Sequence, residues 1–161
     1  MFPLISHELA FAQALRSTYD AETDPPGIGA KYDEQIALQV RELTENMQKP
    51  LNDFVMPLYS GNVFIPGSTD VGDVSWLTPT SQVDIVTWPA GMPHHSWQAV
   101  SCGKSGFAHK GLLMAAKVLA ATAIDLMEKP EALQAAREEF ARRAASGYVC
   151  PIEPGEEPKA I

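Results

Sequence analysis

The feature that most constrains the fold is a long apolar helix predicted from about His109 to Met127. Leucine and alanine recur there at intervals of three and four residues, so one wide face of the helix is apolar. That face comprises Leu112, Leu113, Ala116, Leu119, Ala120 and Ala123. Because a wide apolar face is buried in a folded protein, the other elements are expected to pack around this helix.

Apolar spacing and capping residues predict further helices before and after it. Ser6, with Glu8, can cap an N-terminal helix. A second amphipathic helix is predicted from about Asp33 to Met47, a short one around Val71 to Ser75, and an exposed, charge-rich one from Pro130 to about Ala145.

Two apolar runs instead favour β-strands. Val83 to Trp88 is typical of a mostly buried strand, and Asn62 to Ile65 of a short one. The sequence therefore predicts an α/β fold with Val83 to Trp88 as a central strand covered by helices. Residues 1–150 are expected to form the folded part and residues 151–161, rich in proline, a flexible tail.

Composition excludes several classes of function. The formal charge of −8 and the pI near 4.9 argue against nucleic-acid binding, which needs clustered Lys and Arg. No apolar run reaches the ~20 residues of a membrane span, and the first residues do not form a secretory signal. Cys102 and Cys150 are isolated cysteines, as expected in a reducing compartment, so a cytoplasmic location is predicted.

The residues from Gly67 to Ala120 contain nearly all the candidate functional groups. His94 and His95 occupy a Pro/Gly-rich loop directly after the predicted strand, and imidazole is a common zinc ligand. The alternative is that both histidines only hydrogen-bond to nearby backbone. Since a catalytic zinc needs three protein ligands and the chain has four histidines with no His-Glu-x-x-His pair, a complete zinc site is not expected from this chain alone.

Two glycine-containing loops carry other candidates. Asp70 and Asp73 could bind a metal or its water, or could cap the short helix. The Ser101–Ser105 segment lacks the first glycine of a nucleotide-binding loop, because Gln98 stands at that position. Amide groups around Gly103 and Gly106 could still hold a carboxylate, or could form a plain helix entry.

Three further side chains near these loops are candidate functional groups. His109 and Lys110 lie at the start of the long helix. They could belong to a functional site, or they could only form part of the helix terminus. Cys102 fits a small apolar filler better than a reactive thiol. A serine hydrolase is excluded, because the chain has no Gly-x-Ser-x-Gly elbow.

Four blocks in one order resemble the aminoacylase-like, dinuclear-zinc amidohydrolases. The blocks are GSTDVGDVSW, VDIVTWPAG, HSWQAV and AHKGLLMAAKVLAATAIDL. The resemblance implies the C-terminal half of a zinc-peptidase-like catalytic domain, with a partial three-layer sheet and flanking helices. It also implies a site for two zinc or manganese ions, to which His95, rather than His94, supplies one ligand.

The same resemblance implies substrate-binding positions. Asp70 matches the family's acidic loop, where Thr69 replaces a glutamate; Gly103, Gly106 and His109 belong to the loop and helix entry near the substrate. Family members are longer, and their other ligands and catalytic glutamate lie upstream, so no catalytic residue is assigned here.

The resemblance therefore implies that the chain is a portion of a metal-dependent amidohydrolase that cleaves an amide such as p-aminobenzoyl-glutamate, and that it is inactive alone. Its expected partners are an N-terminal half or a sister subunit, within an oligomer. The alternative is a non-catalytic truncated or split-gene product that acts as a folded partner.

Overall fold

The computed structural model describes residues 3–20, 33–58, 69–150, 152–153 and 155–156, and every regular element within these ranges is helical. A 3-10 turn at Ala144–Ser146 follows the last helix. The helices are α1 (Ser6–Arg16), α2 (Glu34–Leu43), α3 (Val71–Leu77), α4 (Trp97–Cys102), α5 (Gly106–Glu128) and α6 (Pro130–Arg143).

The predicted α/β fold is wrong for this part of the chain. Val83 to Trp88 forms no strand, and no sheet occurs within the described residues. An apolar run predicts burial, but a strand also needs a neighbouring strand to take up its backbone hydrogen bonds. Here Val86 and Trp88 pack against a core made by helices and loops. The other predicted strand, residues 62–65, lies outside the described ranges.

The chain divides into two compact units, residues 1–66 with 83–118 and residues 67–82 with 119–161. The first unit holds the hydrophobic core, to which α1, α4, the start of α5 and two loops contribute. Its buried members are Ala12, Leu15, Leu51, Met92, Cys102, Phe107 and Ala108. The glycine loop between α4 and α5 is therefore anchored by a buried residue at each end.

An ion pair with a buried carboxylate joins α1 to α5. The Glu8 carboxylate accepts hydrogen bonds from Lys110 Nζ at 2.7 Å and from the backbone N–H of Ile5 at 2.9 Å. Ile5, not Ser6 as expected, is the N-cap of α1. Lys110 also donates to the carbonyl of Pro3 at 2.9 Å. The pair fixes the first turn of α1 against the start of α5.

Gly111 allows α5 to approach the Val83–Trp88 segment closely. A Cβ at this position would lie 2.4 Å from the carbonyl oxygen of Val86 and 2.9 Å from Thr87 Cγ2. Real Cβ atoms do not approach backbone oxygens so closely. The lack of a side chain at Gly111 therefore sets the distance between the helix and this segment.

We expect Gly111→Ala to lower the free energy of unfolding by about 1–3 kcal/mol, as overpacked cores do. The matched control is Gly72→Ala in α3, where a Cβ would meet nothing within 4 Å. Because alanine favours helix over glycine by ~1 kcal/mol, the control should be neutral or stabilising. Urea unfolding of both variants measures the difference. Equal effects at the two positions would contradict the close approach.

The second unit contains α3, the C-terminal half of α5 and α6. Trp76 of α3 stacks on Tyr148 with ring centroids 5.6 Å apart, and the Tyr148 hydroxyl donates a hydrogen bond to Asp73. Along α6, Arg143 pairs with Glu139 at 2.7 Å. None of the helical residues described in this unit is buried.

The predicted apolar face of α5 is exposed in the structure. Leu112 is 66% exposed and Leu119 57% exposed, whereas the helix buries Phe107, Ala108 and Gly111 near its start. The helix itself was predicted correctly, but its contacts lie at one end and not along the leucine face. No helix of the described ranges combines the length and the hydropathy that a membrane crossing requires.

Candidate functional site: the paired-histidine loop

The loop that carries His94 and His95 is held where it begins. The backbone N–H of Ala90 donates to the Pro50 carbonyl at 2.8 Å. The Ala90 carbonyl in turn accepts hydrogen bonds from Arg16 Nη1 at 3.3 Å and from the Tyr19 hydroxyl at 3.2 Å. The C-terminal end of α1 therefore fixes the position at which the chain enters the loop.

Arg16 connects this loop to a second one. Its guanidinium also donates to the carbonyls of Lys49, at 3.0 Å, and Met47. Met47 belongs to a turn in which three consecutive non-glycine residues, Glu45 to Met47, have positive φ. Such backbone is costly for L-residues, so the charged hydrogen bonds from Arg16 help to hold the turn in place.

The loop ends at α4, a short helix that the apolar spacing did not predict. Ser96 is its N-cap: the Ser96 hydroxyl accepts from the Ala99 N–H at 3.2 Å and donates to the Pro93 carbonyl at 2.8 Å. Buried Gln98 donates to the Thr18 hydroxyl at 3.2 Å. The serine after the histidine pair was the signal for this helix, because serine is a preferred N-cap residue.

The two histidines have different surroundings. His94 packs edge-on against Trp88, with ring centroids 5.1 Å apart and an interplanar angle of 71°. His95 is exposed and has a φ of 56°, which a histidine adopts less readily than a glycine. Among the described residues, no hydrogen bond, ion pair or ring contact engages the His95 imidazole. His95 is therefore the member of the pair whose imidazole is available.

An open depression of about 590 Å³ lies beside this imidazole. Four apolar side chains, two histidines and the α4 N-cap face it. Its lining residues are Trp88, His94, His95, Ser96, Trp97, Ala99 and Val100. The depression therefore combines an aromatic and aliphatic wall with a small number of polar groups.

The described residues do not form a complete metal site. Within those ranges, no three His, Cys, Asp or Glu side chains come together in an arrangement that could hold an ion. Asp70 is exposed at the N-cap position of α3 in the second unit, and its side chain makes no cap hydrogen bond there. Gly67 and Ser68 of the same predicted acidic loop lie outside the described residues.

The remaining predicted site residues lie at the junction of α4 and α5, and none of them lines the depression. Gly103 follows α4, and Gly106 begins α5. A Cβ on Gly106 would lie 2.2 Å from Glu8 Oε1, so a carboxylate of the chain itself occupies the space beside this glycine. His109 is exposed on α5, and its backbone N–H donates to the Ser105 carbonyl at 3.1 Å.

Two titratable groups of the first unit, Glu8 and Cys102, have structural roles. The hydrogen bond from Lys110, and then that from Ile5, hold the pKa of Glu8 below its usual value. Burial raises the pKa of the Cys102 thiol, which is fully enclosed in the core. Cys102 is thus a buried core residue, as the apolar-filler interpretation of its sequence context predicted.

Among known proteins, the chain is similar to a subunit of a hydrolase. This relative belongs to the p-aminobenzoyl-glutamate hydrolase of Escherichia coli strain K12, and it is 36% identical over 154 residues, or 91% of this chain. The matched region is only 31% of that protein, so the chain spans about a third of its relative's length. The identity supports a relationship between the two proteins. No family model and no solved structure matches the chain.

Proposed function

We propose that this chain is a portion of a metal-dependent amidohydrolase that cleaves an amide of the p-aminobenzoyl-glutamate type. The observation that carries the proposal is the 36% identity to the E. coli hydrolase subunit over nearly the whole chain. In such a reaction water is added across the amide bond, which releases the aromatic acid and glutamate. The relative is named as one subunit of its hydrolase, which supports a second polypeptide as a partner in the assembled enzyme.

We further propose that His95 supplies one ligand to a zinc or manganese site whose other ligands come from an N-terminal half or a sister subunit. Its exposed imidazole and its place at the end of a fixed loop support this role. His94 is the weaker candidate, because Trp88 already packs against its ring. Since the described residues lack the three ligands that a catalytic zinc needs, we assign no chemical step to a side chain of this chain.

A second candidate function is that of a folded, non-catalytic partner. The observation that favours it is the lack of a metal-binding group among the described side chains. The two candidates differ in what the matching segment must do inside a larger enzyme. A catalytic portion has to support turnover there, whereas a non-catalytic partner does not.

The 161-residue chain alone is expected to bind zinc weakly and to release no glutamate from p-aminobenzoyl-glutamate above a buffer blank. Metal affinity falls when ligands are missing, and binding must also offset the loss of protons from the ligands. Calorimetry with zinc, followed by glutamate assays with added zinc or manganese, measures both. Tight stoichiometric binding with turnover would show that the chain carries a complete site.

A further inference from the structure

We infer that the depression beside His95 is a subsite for the aromatic acyl group of an amide substrate, with the indole of Trp97 as the surface on which that ring stacks. The inference deepens the proposed function and rests on it for the identity of the ligand. It assigns a role to an aromatic side chain that the helix does not bury. It also defines the substrate class as amides with an aromatic acyl group and does not specify the amino acid on the other side of the amide.

The first observation is the exposure of Trp97. This side chain is 63% exposed, and Val100, one turn later on α4, is 82% exposed. Trp88, which also lines the depression, is half-buried and packs against the core. Contiguous exposed apolar side chains that form part of a concave surface are typical of ligand sites.

The second observation is that hydrogen bonds hold the loop and the helix that line the depression. Its rim is fixed by the Ser96 cap, by the bond between Gln98 and Thr18, and by the hydrogen bonds to Ala90. Gln98 and Cys102 of α4 are buried, so Trp97 projects from a helix whose opposite side is anchored. A ligand would therefore meet a surface that is already formed, which lowers the ordering cost of binding.

The third observation concerns which ring is free to stack. Trp88 already has an edge-on partner in His94. Trp97 has no ring partner among the described residues. Aromatic rings pair by offset stacking or by edge contacts, with centroids about 4.5–7 Å apart. A benzoyl ring on Trp97 would thus complete a pair, and His95 lines the same depression.

The test measures equilibrium binding of p-aminobenzoyl-glutamate to the 161-residue chain by dialysis. Glutamate alone and cyclohexanecarboxylate serve as ligands without the aromatic ring. We expect weak, saturable binding of p-aminobenzoyl-glutamate and none of the other two. Two substitutions at one position separate aromatic from merely apolar contact: Trp97→Phe keeps a ring and Trp97→Leu does not.

We expect Trp97→Leu to weaken binding roughly three- to tenfold, because one aromatic pair contributes about 0.5–1.5 kcal/mol. Trp97→Phe should restore most of that loss. Leu113→Ala is the matched control, since Leu113 is an exposed apolar residue of the first unit that does not line the depression. Thermal unfolding of each variant shows that all remain folded.

Two results of the binding test would overturn the inference: no binding at millimolar ligand, or equal affinity of the Leu and Phe variants. Both are independent of turnover. If ring-dependent binding is found but the chain supports no hydrolysis inside a larger enzyme, the proposed function fails and the subsite stands. If hydrolysis is supported while Trp97→Leu leaves KM unchanged, the function stands and the subsite fails.

Discussion

His95→Ala is expected to abolish most amide hydrolysis in a chimera in which this chain replaces the matching segment of the E. coli hydrolase subunit. Substitution of residues that only orient a metal ligand typically costs about 10–100-fold in affinity or activity, so loss of a ligand itself should cost at least about 100-fold. The bound metal should fall as well. Glutamate release and metal content per chain, measured on the same samples, test both expectations.

Two further variants of the chimera make this result specific. His7→Ala removes another exposed histidine, on α1, and should leave both the glutamate release and the metal content unchanged. His94→Ala removes the ring that packs on Trp88, so it should disturb the loop without removing a ligand. Full activity in His95→Ala, or a larger metal loss in His94→Ala, would contradict the assignment of His95.

Lys110→Met is expected to lower the free energy of unfolding by about 2–3 kcal/mol, because the Glu8 carboxylate would lose its charged partner while it remains buried. Glu8 is 3% exposed, and Lys110, at 29%, keeps some contact with water. That partial exposure places the expected loss below the ~3–5 kcal/mol of fully buried pairs. Urea unfolding of the 161-residue chain measures it.

Two controls accompany this variant. Arg143→Met breaks an exposed pair on α6 and should cost less than about 1 kcal/mol. The double variant Glu8→Leu with Lys110→Met removes both charges and should recover part of the loss, because apolar replacements of buried pairs are often neutral. Equal costs for Lys110→Met and Arg143→Met would show that the Glu8 pair is no stronger than a surface pair.

The Glu8 pair also gives stability a defined dependence on pH. Its hydrogen bonds hold the pKa of Glu8 below the ordinary value of 4.5, so the unfolded chain takes up this proton at a higher pH than the folded chain does. The contribution is therefore present above the ordinary pKa and is lost as pH falls through the lowered one. In Lys110→Met, the free energy of unfolding should therefore fall less over that acidic pH range than it does in the unsubstituted chain.

Sequence patterns predicted five of the six described α-helices, all but α4, and did not predict how they pack. Apolar spacing located α1, α2, α5 and α6, because helical periodicity is a local property. The buried side of α5 was not predictable in the same way. It depends on Gly111, whose close contact with Val86 is a tertiary feature. The pair between Glu8 and Lys110 joins residues 102 positions apart, which no local pattern indicates.

The error in the fold class has the same origin. Val83 to Trp88 has the composition of a buried strand, and two of its side chains, Val86 and Trp88, do pack against the core. Composition reports burial and cannot report whether a second strand lies alongside. The site remains a prediction: the resemblance favoured His95 over His94, and the structure places the His94 ring against Trp88. Arg16, which fixes the loop, carried no signal in the sequence.

The most direct test of the central proposal is the rate of glutamate release from p-aminobenzoyl-glutamate by the unsubstituted chimera. The isolated chain and the E. coli hydrolase subunit without the matching segment serve as blanks. A cooperative thermal transition shows that the chimera is folded. The proposal predicts metal-dependent release well above both blanks. A folded chimera whose release equals that of the blanks would contradict it and would favour the non-catalytic role.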